Sequence, residues 1–79
     1  MQYSKEKVDE AVLALLWLTS YTDGDSTRAW KGHDWDAFDR LHQQGFIGNP
    51  RGKAKSVVLS EAGASRAQEL FTKLFGKDS

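Results

Sequence analysis

WDAFDRLHQQGFIGNPRGKAKSVVLSEAG, residues 35–63, decides how this chain folds. Asp34, just before it, is a strong N-cap, because its carboxylate accepts from free backbone N–H groups of a first helical turn. Asp36 in that turn favours the positive end of the helix dipole. Trp35, Phe38 and Leu41 are three apart and predict a core-facing stripe on a helix over 34–44. Asp36 and Arg40 are spaced for an i,i+4 ion pair. Gly45 stands where a left-handed C′ residue ends a helix, and Phe46 can close back on Leu41. An extended segment starts at Phe46–Ile47. GNPRG, residues 48–52, is rich in turn formers and reads as a hairpin tip. Ala54 to Leu59 is the return strand, with Val57 and Leu59 on one face and Ser56 and Val58 on the other. The expected hairpin spans 46–59, and Ser60 caps a further helix.

Upstream, Ser4 is a candidate N-cap for a helix over 4–19. Val8, Ala11, Val12, Leu15 and Leu16 form one apolar stripe. Leu13 and Trp17 lie on the opposite side, so the second half of this helix is apolar nearly all round and needs cover on two sides. The segment 21–33 is one candidate cover, and a second copy of the chain is the other. SYTDGDSTRAWKGHD, residues 20–34, reads as a polar loop followed by a short helical turn over 27–31, capped by Ser26 or Thr27 and ended by Gly32. Downstream, Ala67, Leu70, Phe71, Leu74 and Phe75 make a clean apolar face on a helix over 61–75. Glu69 and Lys73 are spaced for an exposed i,i+4 pair. Gly76 stops this helix, and Lys77–Ser79 is a polar tail.

The chain has 79 residues, enough for a single domain over 1–79. A domain of this size buries about 60–65% of the surface its unfolded chain exposes. With no Cys, neither a disulfide nor a thiolate zinc site can supplement that core, so stability rests on packing or on a partner subunit. Lys plus Arg and Asp plus Glu both number 11, and zero net charge lacks the basic excess of a general nucleic-acid binder. MQYSKEKVDE at the N-terminus does not read as a signal peptide. The longest apolar run, Ala11 to Leu18, falls short of the roughly 18–20 residues that span a bilayer. The expectation is a cytoplasmic protein that makes no membrane contact.

Leu13, Trp17, Tyr21 and Trp30 are the candidate interface residues, since Trp and Tyr are favoured anchors of binding surfaces. Arg51, Lys53 and Lys55 are candidate phosphate contacts. Lysines on an exposed hairpin serve equally to block edge-to-edge pairing. His33, Asp34, Asp36 and His42 invite a metal reading. However, Asp34 and His42 are two turns apart, and neither His has an i,i+4 partner of the kind a zinc helix supplies. Asp23, Gly24 and Asp25 lack the further oxygen ligands of a calcium loop. Ser4, Ser20, Ser56, Ser60 and Ser65 have no neighbouring base at motif spacing. There is no nucleophile elbow, phosphate loop or cofactor motif. The reading is a non-enzymatic chain with no cofactor and no metal.

The order helix, short turn, helix, hairpin, helix describes a mainly α domain with a small β-hairpin, an α+β fold in a winged-helix-like arrangement. FDRLHQQGFI resembles the end of a recognition helix entering the wing in bacterial regulators of the MarR and PadR kind. VVLSEAG resembles the strand and cap that open their dimerisation helix. Over nearly its whole length, through VDEAVLALLWL, RAWKGHDWDAFDRLHQQGFI and GKAKSVVLSEAG, the chain is similar to a small bacterial family known as a domain of unknown function. That likeness implies a self-contained domain and assigns no site residues. The departures from the regulator pattern bear on function. A DNA reader braces its recognition helix with another helix, and 26–31 makes barely one turn. Asp36 and Asp39 would face the groove, with Asp34 beside the backbone, and carboxylates there repel phosphate. The expected function is an interaction module acting through homodimerisation or protein contact. The alternative is a DNA-binding regulator touching phosphate through its basic wing.

Overall fold

The computed structural model describes residues 1–77, so the last part of the expected polar tail, Asp78 and Ser79, lies outside the described residues. The elements run α1 (Lys5–Leu18), β1 (Tyr21–Asp23), β2 (Ser26–Trp30), α2 (Trp35–Gln43), β3 (Ser56–Leu59) and α3 (Glu61–Phe75). This is an α+β fold: three helices and an antiparallel sheet of order β1-β2-β3.

The helices begin and end where local chemistry dictates. Ser4, Asp34 and Ser60 each accept a backbone N–H of the first turn, from Lys7, Ala37 and Gly63 respectively. At the end of α2, Gly45 adopts φ +80°. Its N–H bonds to the His42 carbonyl and that of Phe46 to the Leu41 carbonyl, both at 3.0 Å. These are the paired bonds of a Schellman stop, which satisfy carbonyls that would otherwise lack donors.

The expected loop and helical turn form a hairpin instead, with strands Tyr21–Asp23 and Ser26–Trp30. Asp23 pairs with Ser26, which leaves Gly24 and Asp25 as a two-residue connection. Gly24 has φ +63°, and among the described residues no non-glycine residue has positive φ. Positive φ at the first central residue alone is the type II′ geometry, whose twist matches the flanking strands. The β-prone Thr22, Thr27 and Trp30 then extend the ladder.

The expected hairpin over 46–59 is also revised. Its return strand, β3, pairs with β2 over Thr27–Leu59 to Trp30–Ser56. Phe46–Ile47 contributes only a bridge from Ile47 to Leu59 and one bond from the Gly48 N–H to the Val58 carbonyl, 2.8 Å. A hairpin occupies the place of a winged helix's second helix, and the wing strand pairs away from its expected partner. The element order does not confirm the winged-helix arrangement.

The core lies between the sheet's inner face and the helices. It contains Val12, Leu13, Ala14 and Leu16 of α1, Ala29, Val57 and Leu59 of the sheet, Ala37, Phe38 and Leu41 of α2, and Ala67 and Leu70 of α3. In the apolar half of α1, Leu13 and Leu16 are buried within the domain, Trp17 packs partly against the core and Leu18 is exposed. Leu13 is 1% exposed, so it needs no second copy. It shares a cleft with Leu41, Phe46 and Leu70, so α2, α3 and the segment between them seal it, rather than 21–33. Gly63 marks the tightest approach: a Cβ there would sit on the Phe46 carbonyl oxygen.

Candidate interaction surfaces

The four aromatic and aliphatic interface candidates separate into two groups. Leu13 is sealed in the core, and Trp17 is half-buried against it. Tyr21 and Trp30 are 49% and 61% exposed. Alternation along the strands explains the second pair. Ala29, Val57 and Leu59 point inward and are buried, so Tyr21, Arg28, Trp30, Ser56 and Val58 occupy the outer face. The Arg28 guanidinium reaches from β2 to β3, Nε donating to Ser56 Oγ at 2.8 Å and Nη2 to the Ser56 carbonyl at 3.3 Å. The Trp30 ring lies on Gly32, where a side chain would collide with its six-membered ring.

Trp35 is not a core residue. It is 47% exposed and meets Phe38 edge-on at 6.2 Å between centroids. A residue in the first turn leans its side chain towards the helix N-terminus, which carries this indole past the end of the core. There it anchors the basic loop. Lys31 Nζ lies 5.7 Å and the Arg51 guanidinium 5.1 Å from its ring. Lys31 also donates to the carbonyls of Pro50 and Gly52, at 2.7 and 2.8 Å. Arg51 reaches Asp39 at 2.6 Å. The hydrogen bond from Arg51, ahead of its charge, holds the Asp39 carboxyl below its ordinary value of 3.8. Of the three wing cations, Arg51 is therefore engaged within the domain, while Lys53 and Lys55 are exposed and have no ion-pair partner among the described residues.

Both expected i,i+4 ion pairs are replaced, one by a contact between helices and the other by an i,i+3 contact within α3. Arg40 binds Asp9 of α1 in place of Asp36, and Glu69 lies 3.5 Å from Arg66 in place of Lys73. Asp9 and Glu10 line the rim of the cleft shared by Leu13, Leu41 and Leu70, a space of about 350 Å³. Arg40 pairs with Asp9 at 2.7 Å and Arg66 with Glu10 at 3.3 Å. The metal candidates are dispersed. Asp34 caps α2, His42 Nδ1 lies 3.1 Å from the Ile47 carbonyl, and His33 meets Phe38 edge-on. Among the described residues, no three His, Asp or Glu side chains converge on one point. No helix there is long and apolar enough to cross a membrane.

The α3 face over 67–75, which the resemblance offers as a dimerisation helix, is buried only along part of its length. On α3, Leu70 is 2% exposed, whereas Leu74 and Phe75, one turn later on the same stripe, are 47% and 49% exposed. The Phe71 and Phe75 rings meet at a tilt, 5.5 Å between centroids. The periodicity of 67–75 shows the stripe but not where the core beneath it ends.

The profile of the domain of unknown function DUF6429 matches residues 4–77. The uncharacterised protein y4hR of Sinorhizobium fredii (strain NBRC 101917 / NGR234) is 49% identical over 75 residues, which cover 95% of this chain and 97% of that one. No solved structure matches. A profile spanning nearly the whole chain and a relative of matching length agree: this chain belongs to the DUF6429 family, whose function is unknown.

Proposed function

We propose that the chain is a non-enzymatic interaction module that acts as a homodimer, joined through the C-terminal turns of α3. The observation that carries this reading is the stripe on α3 that outruns the core, from buried Ala67 and Leu70 to exposed Leu74 and Phe75. Large apolar side chains clustered on the end of a helix mark a contact surface, and homodimer interfaces are more apolar than other protein surfaces. A second α3, related by a two-fold axis, presents the same patch to itself. Leu13 and Trp17, engaged inside the domain, take no part.

Sedimentation equilibrium tests the reading. The expected mass is twice the 8.9 kDa of the chain, and Leu74→Glu or Phe75→Glu restores the monomer with helix content unchanged. A wild-type monomer at high micromolar concentration overturns it.

A further inference from the structure

We propose that the cleft between the three helices binds a small organic cation, an ammonium head on a short apolar body, with the head at Glu6 and Glu10 and the body on Leu13 and Phe46. The site lies away from the exposed end of α3 and does not depend on the dimer.

The cleft is amphipathic along its length. Buried Leu13, Leu41 and Leu70 close its floor, and half-buried Phe46 lines it beside them. Glu6, Asp9 and Glu10 line it as well. They stand at i, i+3 and i+4 on α1, so one turn presents all three carboxylates on the same side. Leu13 follows one turn further on. An acidic end and an apolar end therefore succeed each other along one stripe of α1. A ligand lying along that stripe needs a charged head and an apolar body. A space of about 350 Å³ is at the small end of ligand pockets, which limits the body to one ring or a short chain.

The rim fixes the sign of the head. Arg40 answers Asp9 with two bonds of 2.7 Å. Arg66 is shared between Glu10 at 3.3 Å and Glu69 at 3.5 Å. Glu6 has no ion-pair partner among the described residues. Four carboxylates thus stand against two guanidiniums around the cleft, and the excess is negative. Apolar walls concentrate the field of an unbalanced charge within a cleft.

A cation answers this excess. An anion would have to displace carboxylates from Arg40 or Arg66. A wholly apolar ligand would strip water from Glu6 and Glu10 and return no hydrogen bond. An aromatic body gains a further contact with the Phe46 ring, which makes an arylalkylamine the natural probe.

The test titrates phenethylamine into the isotope-labelled protein at low salt, with phenylpropionate and phenethyl alcohol as its anionic and neutral counterparts. Backbone amide NMR shifts are followed. The amine is expected to move the amides of Glu10, Leu13 and Phe46, with a Kd on the order of 1 mM for so few atoms. The acid and the alcohol are expected to bind about fivefold more weakly or worse. Glu6→Gln with Glu10→Gln should weaken the amine about fivefold, as loss of two exposed charge contacts does. Glu6→Lys, at an exposed position, should abolish amine binding and raise affinity for the acid. Thermal melts check that each variant folds, and if the double variant does not, Glu6→Gln alone is read, with a loss of about twofold. The proposal is overturned if the acid or the alcohol binds as tightly as the amine, or if the folded variants keep the wild-type affinity. It is also overturned if the shifts fall on Leu74 and Phe75 in place of the cleft, or if about 20 mM amine moves nothing.

Discussion

Arg40 on α2 grips Asp9 on α1 through two bonds of 2.7 Å, Nε to Oδ2 and Nη2 to Oδ1. The Asp9 side chain is 7% exposed and that of Arg40 26%. A planar guanidinium meeting a carboxylate edge-on is the strongest ion-pair geometry available to side chains, and it fixes the crossing of the two helices. Removing one partner of a buried pair strands the other charge, at about 3–5 kcal/mol. Arg40 reaches water in part, so Asp9→Ala is expected to cost about 2–3 kcal/mol. The paired change Asp9→Leu with Arg40→Leu is expected to cost less than the single one. Urea denaturation of the three proteins measures both, and a larger loss in the double variant would contradict this account.

Gly63 is expected to be intolerant although it sits in a helix, where Gly→Ala ordinarily stabilises by about 1 kcal/mol. The added methyl would meet the Phe46 carbonyl oxygen, which already accepts from the Ser60 N–H at 2.9 Å. Gly63→Ala should therefore lower stability by about 2–3 kcal/mol, the usual range for overpacking. Differential scanning calorimetry shows the sign at once.

The contact of Asp39 with Arg51 should release in acid. Its carboxyl is held below the ordinary 3.8. A depressed folded value means that the stabilising contact is complete above the unfolded value and lost as pH falls through the folded one. Arg51 then leaves Asp39, and its hold on the Trp35 ring loosens. The indole NεH resonance of Trp35 is expected to shift in acid, with a midpoint below the ordinary carboxylate value of 3.8. In Asp39→Asn that resonance should sit at its released position already at neutral pH.

A dimer joined through α3 makes stability depend on concentration, because association favours the folded state by mass action. The apparent Tm is expected to rise between micromolar and hundred-micromolar protein. In Leu74→Glu the dependence should vanish while the low-concentration Tm changes little, since this side chain lies outside the core.

What the sequence made legible follows the range of the interactions involved. Ser4, Asp34, Gly45 and Ser60 act within a turn of their own positions, and all of them set helix ends as read. The hairpin at Gly24 was local too, but its polar strands show no alternation, and a Gly-Asp pair reads equally well as a loop. Asp9–Arg40 and Arg28–Ser56 are 31 and 28 residues apart, and no periodicity reports such partners. Spacing placed Trp35 on the inward stripe, yet a side chain at the first turn overhangs the core that the stripe faces. For the same reason the exposed end of α3 was hidden in the sequence: a repeat gives a direction, while the extent of what lies beneath is set by other elements.

The Ser60 hydroxyl donates to the Gly45 carbonyl at 2.6 Å while accepting from the Gly63 N–H at 2.9 Å. One oxygen thus joins the stop of α2 to the start of α3. Neither helix end can fray without opening the other, so the two ends form one cooperative unit. The amides of Phe46 and Gly63 should exchange with solvent at a common free energy, although they belong to different elements. In this chain the boundary between two helices is a single unfolding event.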